Sequence, residues 1–133
     1  MLRDTPHDRA HRLPAVLIVE DDAALCEAIG FCVEQAGYEV VDCAQSVDAA
    51  LAMLGKRTID AALLDINLQG ELVYPVANAL AERGVPFTFV TAKPASEIPE
   101  QYRHRPLVPK PYYDAALCAA LASMLPGVAR TDV

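Results

Sequence analysis

Residues 61–71 read AALLDINLQGE. Four apolar residues, Ala61 to Leu64, run straight into an acid, Asp65, with an amide at Asn67 and a glycine at Gly70. A continuous apolar run of this kind reads as a strand buried on both faces of a sheet. The acid that closes it is then delivered to one end of that sheet. The same pattern stands at residues 15–22, AVLIVEDD, where the run ends in Glu20, Asp21 and Asp22.

Between these runs, Leu25, Ala28, Ile29, Cys32, Val33 and Ala36 recur at spacings of three and four. That marks one buried helix face, closed by Gly37. YEVVDCA (38–44) is a second strand, and Ser46 can cap a helix from Val47 to Leu54, with Gly55 after it. Past Asp65, VYPVANALAERG (73–84) reads as a helix stopped by Gly84. PFTFVTA (86–92) is a fourth strand and PLVPK (106–110) a short fifth. Asp114 is placed to cap a last helix, Ala115 to Leu125, ended by Pro126-Gly127.

Strands alternating with helices across short connections predict an α/β fold, a doubly wound five-stranded parallel sheet covered on both faces. One region breaks the rhythm. Between Thr91 and Lys110 stand Pro94, Pro99, Pro106 and Pro109. Proline removes a donor and clashes inside a helix, so ASEIPEQYR (95–103) has room for one or two turns only. The fourth helix is expected to be shortened or irregular.

The 133-residue chain is 53% hydrophobic, enough for one domain with a sizeable core. We expect that domain at 14–126, with tails at 1–13 and 127–133. No apolar run approaches the roughly 20 residues that span a bilayer. The charged N-terminal MLRDTPHDRAHRLP lacks the apolar core of a secretory signal. A net charge of −7 opposes nucleic-acid binding and suits a cation site. The cysteines at 26, 32, 43 and 118 show no CxxC spacing. They read as small buried hydrophobes rather than metal ligands or disulfides, in keeping with a reducing cytoplasm. His7, His11 and His104 fall in tail or loop sequence and carry no assignment.

In an open parallel sheet the carboxyl ends of the strands form the ligand crevice. The first strand brings Glu20, Asp21 and Asp22 there, the third Asp65, the fourth Thr91 and the fifth Lys110. Carboxylates gathered this closely repel, and a hard divalent cation such as Mg²⁺ relieves them. A carboxylate beside such a cation can attack phosphorus, while Lys and Thr hold the phosphoryl oxygens.

With those residues in that order, the chain resembles a response-regulator receiver domain, over about Ala15 to Leu125. VLIVEDD resembles the first strand and acidic pocket, LLDINLQGE the phosphoacceptor strand and loop, FTFVTA the Thr followed by a small residue, and PKP the Lys-Pro pair. The resemblance implies the flavodoxin/CheY-like (βα)5 fold. It makes Asp65 the phosphoacceptor, and Thr91 and Lys110 the phosphoryl-binding pair. Asp21 becomes a direct Mg²⁺ ligand, Glu20 a ligand through water, and Asn67 a ligand through its backbone carbonyl. It also implies a cis Lys110-Pro111 bond. PFTFVTA and DINLQGE resemble the FAT GUY receiver subgroup, from which Val90, Ala92 and Lys93 depart.

Most receivers carry Tyr or Phe three residues before the Lys, where this chain has Leu107. A non-standard switch is therefore expected, with residues 93 to 105 ordering on phosphorylation. The implied partners are a sensor histidine kinase or phosphotransfer protein and an unidentified downstream protein, with no nucleic acid and no membrane. The chain would be a monomer or weak homodimer in the cytoplasm, acting by protein contact or as a phosphate sink without an output domain. It would be a signalling switch and no enzyme beyond its own phosphorylation and dephosphorylation.

Each residue also has a plainer reading. Asp65 could cap a turn, Glu20 to Asp22 could favour a helix dipole, Thr91 could be an ordinary strand-end hydroxyl and Lys110 a solvated charge. Tyr112 and Tyr113 read as packing residues. A haloacid-dehalogenase-type phosphatase also uses a strand-end Asp, but its second Asp is Asn67 here. A degenerate receiver, an interaction scaffold that is never phosphorylated, stays open through Leu107.

Overall fold

The computed structural model describes residues 12–126. Of the expected tails, only Arg12 and Leu13 lie within them; the rest of 1–13 and 127–133 lie outside the described residues. Five strands build the sheet: β1 (Ala15–Val19), β2 (Glu39–Ala44), β3 (Ala61–Leu64), β6 (Phe87–Thr91) and β7 (Leu107–Pro109). Their order is β2-β1-β3-β6-β7, all parallel. Two short strands, β4 (Asn67–Leu68) and β5 (Glu71–Leu72), pair antiparallel in the loop after Asp65.

β1, β3 and β6 are buried along their whole length, as their unbroken apolar runs require. Helices α1 (Ala23–Gln35) and α4 (Asp114–Met124) cover one face, where Ile29, Cys32, Val33, Leu117 and Leu121 meet Val16 and Ile18. Helices α2 (Val47–Leu54) and α3 (Tyr74–Glu82) cover the other, where Val47, Ala50, Val76 and Leu80 meet Leu17 and Val19. Gly37, at φ +99°, ends α1 in the left-handed region that a side chain disfavours.

The fourth helix, expected to be shortened or irregular, takes the form of two short 3-10 turns, Ala95–Glu97 and Glu100–Tyr102. Each follows a proline, Pro94 or Pro99, in extended backbone. The segment is already packed: Ile98 and Tyr102 are buried in the core. Tyr102 stacks on Tyr74 with ring centroids 5.4 Å apart and donates its hydroxyl to Asn78 Oδ1. Its ring also meets Phe87 and Phe89 edge-on. An ordering transition over 93–105 therefore has little left to order, and the segment has structure to lose.

Three expectations are corrected. Cys26 and Cys43 form a disulfide instead of standing as the small buried hydrophobes the spacing suggests. The register places Cys43 opposite Ile18 near the end of β1, within reach of the first turn of α1. Cys32 and Cys118 are free, Cys32 buried as expected and Cys118 only partly so. Asp114 begins α4 rather than capping it; Tyr113 is the cap residue and makes no side-chain cap bond. Tyr113, read as a packing residue, is 80% exposed, whereas Tyr112 lies against the core.

Candidate functional site

Glu20 and Asp65 each stand one residue past a buried strand. Their amides continue the ladder, Glu20 N donating to Ala44 O at 2.9 Å and Asp65 N to Val19 O at 2.9 Å. Because β1 pairs directly with β3, the two carboxylates emerge side by side. Thr91 is the last residue of β6, and Lys110 follows β7 with its amide on Thr91 O at 2.9 Å. All four therefore meet at the carboxyl end of the sheet, as the strand pattern predicted. The Lys110-Pro111 bond is cis, as the resemblance implied.

Lys110 joins the acids. Its Nζ donates to Glu20 Oε1 at 2.7 Å and to Asp65 Oδ2 at 2.9 Å. Glu20, Asp65 and Thr91 are all buried polar residues. Burial pushes the Glu20 carboxyl above its ordinary 4.5, and the Lys110 ammonium and the Asp22 amide only partly offset this. Burial alone would lower Lys110, but its two carboxylate partners outweigh that and hold it above 10.5. The ammonium is thus fixed in its charged form where an anion would have to sit.

Carboxylate oxygens of Glu20, Asp21 and Asp65 lie within 4.8 Å of one another. An all-oxygen anionic donor set of this kind fits a hard cation such as Mg²⁺. Asn67 borders the same cleft, and its side-chain oxygen accepts from Gly70 N at 2.8 Å. Asp22 is the N-cap of α1: Oδ1 accepts from Ala24 N at 3.0 Å and Leu25 N at 3.2 Å.

Sequence reasoning missed two residues of the cleft. Lys93 and Glu97 line it beside Asp65, Thr91 and Lys110. The signal available was Lys93 itself, two residues past Thr91 and off the FAT GUY pattern. Leu107 is half-buried and packs on the aromatic core of α3 and β6. Tyr102, from the 3-10 segment, contributes an aromatic ring to the same cluster, edge-on to Phe89 at 6.1 Å between centroids.

This fold, with Glu20, Asp65, Thr91 and Lys110 gathered at one end of a parallel sheet, defines a doubly wound α/β domain with a polar strand-end crevice. The model of the response regulator receiver domain matches residues 16–122, and the chain belongs to that family. Among solved structures, SdrG from Sphingomonas melonis Fr1 is 37% identical, with a TM-score of 0.75 over 85% of this chain and 97% of that one. PhyR from Brucella abortus is 30% identical, with a TM-score of 0.75 over 87% of this chain. The chain spans only 50% of that PhyR's length. A CheY-like receiver domain from Methylobacillus flagellatus is 25% identical, with a TM-score of 0.74 over 84% of this chain and 98% of that one. No protein of curated function matches. Among the described residues no helix is long and apolar enough to cross a membrane.

Proposed function

We propose that Asp65 accepts a phosphoryl group from a phosphohistidine on a sensor kinase or phosphotransfer protein. The observation that carries this reading is the Lys110 ammonium, 2.7 Å from Glu20 and 2.9 Å from Asp65 at the mouth of a receiver sheet. An Asp65 oxygen attacks phosphorus, the P–N bond breaks, and its electron pair leaves with the imidazole. Lys110 neutralises charge on the phosphoryl oxygens, and the Thr91 hydroxyl donates to one of them. Glu20, Asp21, Asp65 and the Asn67 carbonyl would hold a Mg²⁺ ion, which would supply further charge neutralisation at the phosphoryl oxygens.

The domain then acts as a cytoplasmic signalling switch that catalyses only its own phosphorylation and dephosphorylation. PhyR, one of the similar structures, is described as a stress response regulator, and we extend that setting to this chain. The test is Mg²⁺-dependent phosphorylation by acetyl phosphate, read as a phosphoryl mass gain. Wild type gains mass and Asp65→Asn does not. No gain in either overturns the proposal in favour of an unphosphorylated scaffold.

A further inference from the structure

The cleft beside Asp65 encloses about 340 Å³ and is lined by Asp65, Asn67, Thr91, Lys93, Glu97 and Lys110. It holds two ammonium groups, and only one has a part in the function proposed above. Lys110 is already shared between two carboxylates, Glu20 and Asp65. Phosphorylation turns the single charge of Asp65 into a dianion close to it, so the cleft gains negative charge that draws any nearby ammonium to the phosphoryl oxygens alongside Lys110 and a bound Mg²⁺.

Lys93 is the remaining cation. Its backbone amide donates to Thr91 Oγ1 at 3.2 Å, which ties its position to the hydroxyl expected on the phosphoryl group. Its Nζ rests on Glu97 Oε1 at 3.3 Å. The Lys93 side chain is 28% exposed and that of Glu97 58%, so the pair sits at the cleft's rim. Ion pairs with such an exposed partner are weak, whereas a dianionic oxygen cluster inside a cleft is a stronger acceptor for an ammonium. Glu97 belongs to the first 3-10 turn, in which Glu97 N donates to Pro94 O at 2.9 Å and Ile98 N to Ala95 O at 3.1 Å.

We propose that Lys93 is a second phosphoryl-binding lysine, and that its transfer from Glu97 to phosphorylated Asp65 releases the first 3-10 turn. This rests on Asp65 being the phosphoacceptor. Lys93 keeps its protons and exchanges only its partner. The covalent step remains that of Asp65: with acetyl phosphate as donor, the Oδ–P bond forms, the acetyl O–P bond breaks and acetate leaves with the electron pair. The device gives the domain a link from the site to residues 95–98 that does not pass through position 107.

The experiment is acetyl phosphate phosphorylation of wild type, Lys93→Met and Lys93→Arg, with amide exchange read at Glu97 and Ile98. The initial rate falls about tenfold in Lys93→Met, less than the loss of a buried donor because Lys93 is at the rim. Lys93→Arg stays within about twofold of wild type, since it restores the charge. Exchange at the two amides rises on phosphorylation in wild type and does not change in Lys93→Met. In Glu97→Gln it is already raised before phosphorylation. A Lys93→Met protein that gains phosphoryl mass at the wild-type rate with the wild-type exchange response overturns the role of Lys93 and leaves Asp65 standing. Absence of any mass gain in wild type overturns both.

Discussion

Replacing Lys110 with methionine removes the ammonium while keeping an unbranched side chain of similar reach. Two charge-assisted bonds disappear, at 2.7 Å to Glu20 and 2.9 Å to Asp65. The Glu20 side chain is 3% exposed and that of Asp65 11%, so water replaces little of what is lost. Breaking such a buried pair by removing one partner destabilises by about 3–5 kcal/mol. Glu20 limits this figure, because it can take up a proton. Its folded-state titration already lies above 4.5, so its contribution to stability is full below 4.5 and is lost as pH rises through the folded value. Without Lys110 the leading downward influence on Glu20 is gone and that window widens. Lys110 itself stabilises below 10.5 and loses its effect only as pH climbs past its raised folded value. We therefore expect Lys110→Met to lose about 4 kcal/mol at pH 8. At pH 5 the loss is smaller, because the raised Glu20 carboxyl takes up a proton more readily there and, once protonated, forgoes only hydrogen bonding. Urea denaturation at both pH values measures this, with a double-mutant cycle against Glu20→Gln. Equal losses at pH 5 and pH 8, or an interaction energy below about 0.5 kcal/mol at pH 8, would refute the reasoning.

Two further outcomes follow from the same region. Asp22→Ala removes the α1 cap and should lower stability by about 1 kcal/mol in thermal or urea melts, with acetyl phosphate phosphorylation at the wild-type rate. The Cys26–Cys43 bond closes a loop of sequence separation 17, so its reduction should lower stability by about 3 kcal/mol, read by denaturation with and without a dithiol reductant. Cys43→Ser should reproduce that loss and remove the effect of the reductant.

Much of this architecture is written in short-range pattern. Strands β1, β3 and β6 are continuous apolar runs, and an acid or hydroxyl at the end of each falls at the crevice because the sheet is parallel. What the pattern does not carry is pairing across elements. Cys26 and Cys43 meet only because the β1–β2 register brings Cys43 opposite Ile18, a fact of tertiary structure. Lys93 and Glu97 have the spacing of a helical ion pair, but here the pair spans a turn after Pro94, in a segment whose prolines obscure any periodicity. Asp114 has the chemistry of a cap and is drawn into the helix, with the start of α4 one residue earlier than its sequence suggests.

The sheet has two open margins, and β7 is the one beside the site. Lys110 N bonds inward to Thr91 O, so in the alternation of a parallel ladder Pro109 turns its nitrogen outward. That nitrogen carries no hydrogen. A stray strand approaching this margin would find one outward amide, at Leu107, and then a proline ring. The proline-rich tract that shortens the fourth helix thereby also guards the domain against edge-to-edge aggregation, leaving the neighbouring surface free to meet partners by side chains rather than by backbone.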